Sequence, residues 1–266
     1  VWDADTQHKA ADVLAYVQAH GPVHPRQIEQ HFAQGNVTNY WGGSSSATTH
    51  LLDGMHYRGM LRVVRRDSGT RVYEAVAHPP TDDSPASRAQ RAAALVALVV
   101  HKYAPLPAAS LTYLVRLLGY GAPHLAPQIQ TALRLAKQEL ASCQINGTTW
   151  YWPADENPAS RRHTPDGAVR LLAPFDPVVW DRRRFTLLWD WTYKFEAYTP
   201  APQRKLGYYA LPLLWHDRVI GWANVTAPQG HMVVNFGYAD KAPQGADFRA
   251  ALDDELQRMA YFLAAH

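Results

Sequence analysis

Cysteine is nearly missing: one residue, Cys143, in a chain of 266. A lone thiol closes no internal disulfide and builds no zinc site of the cysteine type. The 13 histidines do not replace it. His20, His24 and His31 straddle Gly21-Pro22, His50 and His56 lack ligand spacing, and no His-Glu-x-x-His occurs, so no metal is expected. No glycine-rich phosphate loop and no Ser/His/Asp signature stands out, and no cofactor is expected. Long apolar runs are also missing. The longest, Ala92–Val100, falls well short of a membrane span, so no membrane partner is expected. The opening VWDADTQHKA has neither a basic head nor a long apolar stretch, and no secretory leader is read in it. An excess of one charge is absent too: 26 Lys and Arg against 23 Asp and Glu leave a formal charge of +3. That excludes a strongly basic coat protein. With so little cysteine, a cytoplasmic location is the default.

What is there suffices for a packed core: 47% hydrophobic residues and 11% aromatics, over a length that allows one to three domains. The distribution of charge says more than its sum. Arg58, Arg62, Arg65, Arg66 and Arg71 crowd one stretch against Asp67 alone. Residues 161–205 hold Arg161, Arg162, Arg170, Arg182, Arg183, Arg184, Lys194, Arg204 and Lys205 against five carboxylates. Local basic patches on a near-neutral body fit phosphate contact over a limited footprint, although a solvated surface explains any single arginine equally well.

The pattern along the chain predicts an α+β protein: tandem winged-helix domains, then a small antiparallel β-barrel and a C-terminal helix. Residues 6–20 carry Ala10, Val13, Leu14 and Val17 at helical spacing, closed by Gly21-Pro22. Pro25–Phe32 reads as a short second helix and Asn36–Gly43 as turn-rich. A third helix, capped by Ser44–Ser46, runs to about Arg58. Leu61–Arg65 and Arg71–Val76 read as strands joined at Asp67-Ser68-Gly69, a good hairpin turn. These make a winged helix over 1–80, and the third helix is where such folds read the major groove. After a polar linker, the order recurs over 88–154, with helices at Arg88–Tyr103, Leu106–Leu118 and Pro127–Ser142 and a hairpin around Asn146-Gly147. From 165 to 266, LLAPF, FEAYT, YYALPLL, VIGWANVT and HMVVNFGY read as barrel strands, and Phe248–Ala265 as the closing helix.

The densest motifs are LLAPFDPVVWDRRR (171–184) and YTPAPQRKLGYYALPLL (198–214). With GPVHPRQIE, YWGG, GMLRVVRR and RVYEAV earlier in the chain, they resemble the winged-helix DNA glycosylases of the AlkZ/YcaQ family, nearest the YcaQ-like branch. That resemblance implies tandem winged helices and a small barrel clamping duplex DNA, and excision of alkylated bases, including crosslinked ones. It also implies a partner (double-stranded, damaged DNA), a monomer, and nucleoid association in a bacterial cell. The family's catalytic motif, a strand of type Gln-x-Gln or Gln-x-Asp in the first winged helix, is expected to precede Val1, so the chain is read as the family's later portion. Gln128-Ile129-Gln130 and Gln27-Ile28-Glu29 fall in predicted helices and are read as coincidence. Where YcaQ-like proteins carry Gly-Arg-x-Asp-x-Lys, this chain has Gly221-Trp222-Ala223-Asn224-Val225-Thr226.

Hydrolysis of a glycosidic bond to a cationic alkylated base needs little help for the leaving group. It needs water positioned and the positive charge on the sugar stabilised, which a carboxylate can do. Asp176, between an apolar run and Pro177, is the best acidic candidate; capping its turn or pairing with Arg182 or Arg183 is the structural alternative. Arg182, Arg183 and Arg184 are candidates for bidentate phosphate contact. Arg204, Lys205 and Tyr208 form a similar set, and Arg62, Arg65, Arg66 and Arg71 are candidate backbone contacts in the wing. Ser44, Ser45, Ser46, Thr48, Thr49 and His50 are short and polar, suited to phosphates at a helix N-terminus rather than to base reading. The main expectation is the DNA-binding portion of a repair glycosylase. The alternative is a non-catalytic winged-helix DNA-binding protein, a regulator or architectural factor.

Overall fold

A computed structural model describes residues 2–32, 36–38, 44–78 and 81–264, with only the backbone for 36–38, 44 and 45. Tyr40–Gly43, part of the motif set above, lies outside the described residues. The chain divides into two compact units, Val1–Ser87 and Arg88–His266.

The first unit opens with α1 (Ala4–His20) and α2 (Pro25–Phe32). The Asp3 side chain accepts the N–H of Thr6 at 2.8 Å, and Gly21, at φ 75°, ends α1 by donating to Val17 O. Both ends follow from local chemistry: an aspartate N-cap and a left-handed glycine. Strands β1 (Asn36–Thr38) and β2 (Ser44–Ser46) pair antiparallel ahead of α3 (Ala47–Tyr57). The stretch read as turn-rich thus contains a short strand. Ser46 caps α3, as its position suggested, and its hydroxyl donates to Glu29 at 2.9 Å. The hairpin β3 (Leu61–Asp67) and β4 (Thr70–Ala75) turns through Ser68 and Gly69, both at positive φ. That turn matches the twist of the flanking strands. Val13, Val17, Ile28, Leu52, Met55 and Leu61 form the core, and Val23 bridges Tyr73 in both directions.

The second unit begins with α4 (Pro85–Tyr103), β5 (Leu106–Pro107), α5 (Ala108–Gly121), α6 (Ala126–Glu139) and the hairpin β6 (Ala141–Ile145) and β7 (Thr148–Trp152). Asn146 and Gly147 turn the hairpin at positive φ, and the sheet order is β5-β7-β6. Val96, Val100, Leu111, Val115 and Ile129 centre the core between the helices. Gln128-Ile129-Gln130 lies on α6 and Gln27-Ile28-Glu29 on α2, with both isoleucines buried, so neither forms a strand.

The expected barrel is corrected. Among the described residues, β8 (Val169–Leu171), β9 (Leu211–Trp215), β10 (Arg218–Thr226) and β11 (Val233–Tyr238) form an open antiparallel sheet in the order β11-β10-β9-β8. The run Phe195–Thr199 is no strand. Between β8 and β9 lie α7 (Pro177–Trp180) and α8 (Arg182–Trp189), so the triple arginine is helical. Pro174 and Pro177 supply no backbone donor, and Asp176 and Asp181 each cap a helix, which stops the strand at Leu171. Finally, α9 (Ala246–Leu263) packs on β8: Glu255 accepts the N–H of Leu171 at 2.6 Å and pairs with Arg258 at 2.8 Å.

Close approach fixes two glycines of the open sheet. A Cβ on Gly221 would overlap Gly237 O and sit 2.8 Å from Tyr238 Cα; one on Gly237 would overlap the Trp222 ring. Gly119, on α5, has open space around it. Urea unfolding is therefore expected to show Gly221→Ala losing about 1–3 kcal/mol, and Gly119→Ala neutral or stabilised by about 0.5–1 kcal/mol.

Candidate nucleic-acid interface

The stretch 171–184 is built by two caps. Asp176 Oδ1 accepts the N–H of Val178 at 2.8 Å and starts α7; Asp181 Oδ1 accepts the N–H of Arg184 at 3.2 Å and starts α8. The geometry therefore gives Asp176 the capping role for one of its oxygens. On α8, successive residues step by about 100°, so the arginines diverge. Arg182 is half-buried, donates to Pro174 O at 2.9 Å and to Val179 O, and lies 4.3 Å over the Tyr193 ring. Burial draws its guanidinium below the usual arginine value. Burial also pushes the Tyr193 phenol up to about 12, and its hydroxyl donates to Ala210 O. Arg184 is 6% exposed and donates to Pro105 O at 2.9 Å and Pro177 O at 3.2 Å. It is a structural arginine, which removes it from the expected phosphate set. Arg183 alone of the three is exposed.

Residues 196–209 form a loop held from inside. Glu196 Oε2 accepts the N–H groups of Lys205 at 2.8 Å and Leu206 at 2.7 Å. Burial would raise the Glu196 carboxyl, but the N–H groups of Leu206, Lys205 and Gly207 outweigh it and hold the pKa below the usual value. Asn224, on β10, accepts from Tyr209 N at 3.3 Å and donates to Leu206 O at 2.7 Å. Gly207 has φ 115°, and a Cβ there would overlap the Asn224 carboxamide. Trp222, two residues away, stacks on Trp191 with centroids 5.8 Å apart. Two of the three positions at which YcaQ-like proteins carry charges, 222 and 224, are thus occupied by a packing ring and a loop anchor.

The result is a surface of aromatic rings. Tyr198 is 87% exposed and Tyr208 59%, and Phe175 and Tyr209 are also exposed. Phe195 joins them, with centroids 5.5 Å from Phe175, 6.1 Å from Tyr198 and 5.2 Å from Tyr209. Arg204 donates to Thr199 O at 2.8 Å and lies 4.9 Å over the Tyr208 ring, with exposed Lys205 beside it in sequence. Sequence reasoning named Arg204, Lys205 and Tyr208 but missed Phe175, Phe195 and Tyr198 as site residues. The signal was available: aromatics beside Pro174, Pro177 and Pro200 cannot all be sheet filler.

In the first unit, each of the candidate arginines has an internal partner. Arg62 pairs with Glu74, Arg65 with Asp67 at 3.0 Å, and Arg71 with Asp53 at 2.7 Å, while Arg66 donates to Gly69 O at 2.9 Å. Hydrogen bonding to Tyr73 and the charge of Asp53 raise the Arg71 pKa. Exposed ion pairs are each worth about 0–1 kcal/mol, so exchanging a carboxylate for a phosphate costs little. On α3, Thr48 is buried while Thr49 and His50 are exposed; the side chains of Ser44 and Ser45 lie outside the described residues. Among the described residues, no three His, Cys, Asp or Glu side chains gather as a metal set, and no helix is long and apolar enough to cross a membrane.

A family model of AlkZ-like DNA glycosylases matches residues 1–262. The chain belongs to the AlkZ-like DNA glycosylase family. Among solved structures it is similar to the Streptomyces sahachiroi DNA glycosylase AlkZ, with a TM-score of 0.56 and 12% identity over 98% of this chain and 67% of that one. At that identity the likeness is one of fold.

Two outcomes follow for the loop. Asn224→Ala is expected to speed amide exchange at Tyr209 and lower stability by about 1–3 kcal/mol, because two backbone groups lose their partner. Glu196 has a depressed folded-state pKa, so its contribution is present above the unfolded value of about 4.3 and lost as pH falls through the folded value. The stability gap between wild type and Glu196→Gln should therefore shrink between pH 6 and pH 3, at about 25 °C, in an acid series.

Proposed function

We propose that this chain supplies the DNA-gripping surface of a repair glycosylase that hydrolyses the N-glycosidic bond of alkylated or crosslinked bases. Family membership sets the reaction class. The observation that carries the reading further is the set of exposed rings Phe175, Tyr198 and Tyr209 packed around half-buried Phe195, with exposed Tyr208 alongside under Arg204. Aromatic faces hold unstacked bases whatever their sequence, and an alkylated or crosslinked site is where a duplex yields such bases most readily.

On this reading residues 1–80 and 88–154 are winged helices, with α3 and the β3–β4 hairpin as the DNA-facing parts of the first, and residues 165–266 carry the aromatic surface. Arg62, Arg65, Arg66, Arg71, Arg183, Arg204 and Lys205 contact phosphates, and the chain acts as a monomer. Asp176 keeps one oxygen free of the cap, available to a positive charge on a nearby sugar. Asp176→Asn preserves the cap and removes that charge. A fall in base release at unchanged stability would assign the chemistry to the carboxylate, and unchanged release would leave it a cap.

Binding to matched duplexes, with and without an alkylated base and at fixed salt, tests the proposal. The chain is expected to prefer the damaged duplex over any sequence. Tyr198→Ala should weaken that binding by about 1–3 kcal/mol, the usual worth of one stacked base. Arg204→Ala should weaken all duplexes alike and reduce the salt slope by about one. A strong preference for one undamaged sequence would instead favour a regulator.

A further inference from the structure

A second site lies apart from the aromatic loop, in a cleft of about 630 Å³ between the start of α5 and the junction of α7 and α8. Its size falls in the ~300–1,000 Å³ range of small-molecule sites. Ser110, Tyr113, Arg116, Trp180, Asp181 and Arg183 line it. Two of its polar atoms are in deficit. Ser110 is 1% exposed and Asp181 5%, and Ser110 Oγ and Asp181 Oδ2 have no hydrogen-bond partner among the described residues. The carboxylate cannot turn away, because its Oδ1 caps α8 through the N–H of Arg184. The buried guanidinium of Arg184 offers no relief, since its donors go to the Pro105 and Pro177 carbonyls. A buried acceptor without a donor is costly and is ordinarily met by a partner.

The rest of the lining says what that partner carries. Arg116 and Arg183 are exposed and have no hydrogen-bonded or ion-paired partner among the described residues; Arg116 has only the Tyr113 ring, 6.0 Å away. Trp180 and Tyr113 add flat apolar surface. The cleft therefore calls for an N–H donor beside a hydroxyl acceptor at its floor, a planar ring along its wall and an anion at its mouth. Guanine and thymine both offer a ring N–H beside a carbonyl; guanine adds a second fused ring to lie along Tyr113 and Trp180, and we propose that the cleft binds a guanine nucleotide. The ring N–H meets Asp181 Oδ2, the neighbouring carbonyl accepts from Ser110 Oγ, and the phosphate meets Arg116 and Arg183. The nucleotide is either free or an unpaired residue of DNA; the DNA source rests on the function proposed above.

Amide NMR titration of the whole chain tests this with free GMP, with CMP, whose base has no ring N–H, and with a short duplex carrying one unpaired dG. Saturable shifts at Ser110, Trp180 and Asp181 are expected with GMP and not with CMP. Asp181→Asn keeps an oxygen for the α8 cap but places an NH2 opposite the ring N–H. It should weaken GMP at least tenfold while the ligand-free amide spectrum away from the cleft stays that of wild type. Arg183→Ala should weaken GMP but not guanosine. Shifts at the same residues from the unpaired dG duplex, lost in Asp181→Asn, assign the DNA source; shifts from GMP alone assign the free nucleotide. Absence of saturable GMP and dG shifts, as in a cleft holding only water, overturns the proposal, as does an Asp181→Asn variant that binds as wild type. The two readings fail separately: preference for an alkylated duplex with an empty cleft leaves the glycosylase reading standing. GMP binding that needs Asp181, without any duplex affinity, leaves the cleft and removes the other.

Discussion

The second unit depends on a buried charge. The Arg184 guanidinium, on α8, reaches the carbonyl of Pro105 across 79 residues of chain and that of Pro177 nearby. Burying a guanidinium is expensive unless its donors are met and an opposite charge is close. Burial draws its pKa down, while Asp181, Tyr103 and Asp176 act in the other direction. The cost is borne because the arginine stitches the helical half, residues 88–154, to the sheet half. That stitch lies inside the compact unit Arg88–His266, beside the packing of Tyr103 on Trp180. It also fixes the two short helices, the first of which follows Phe175 and the second of which carries Arg183.

Much of this was legible in the sequence, and the failures have a common cause. The long helices and both tight hairpins declare themselves locally: apolar spacing for α1, α4 and α9, and Ser68-Gly69 and Asn146-Gly147 for the turns. The misreadings cluster in 171–210. An α7 of four residues and an α8 of eight are too short to show a period, so neither helix is read from the sequence and RRR reads as a phosphate clamp. Aspartate is also ambiguous by nature, because the oxygen that suits it to catalysis suits it to a helix N-cap. No local signal tells Arg183 from Arg184, since the acceptor that buries Arg184 is remote in sequence.

The proposed DNA surface follows from the same economy. In the first unit Arg65 and Arg71 are held by exposed carboxylates, Arg62 by half-buried Glu74 and Arg66 by a turn carbonyl, so a phosphate can replace the exposed partners at little cost. In the second unit exposed rings stand beside Arg204 and Lys205 in the 196–209 loop. Charge alone would give affinity for any duplex and strong dependence on salt. Rings add a term available only where bases leave the stack, which is the discrimination a lesion-specific enzyme needs.

Strand β10 shows how such a surface is maintained without charge. Asn224 meets both a donor and an acceptor of the 206–209 backbone, and Trp222 fills the space between Trp191 and Gly237. A charged side chain at 224 would satisfy only one of those two backbone groups, because carboxylates accept and ammonium groups donate. The amide does both, with its donor and acceptor on separate atoms. Replacing the expected Asp with Asn, and Arg with Trp, therefore trades two charges for a rigid loop. That rigidity is what presents Tyr208 and Tyr209 to solvent instead of letting them fold back into the apolar cluster around Phe185, and a stacking platform held in place loses less entropy on binding than one that must be assembled.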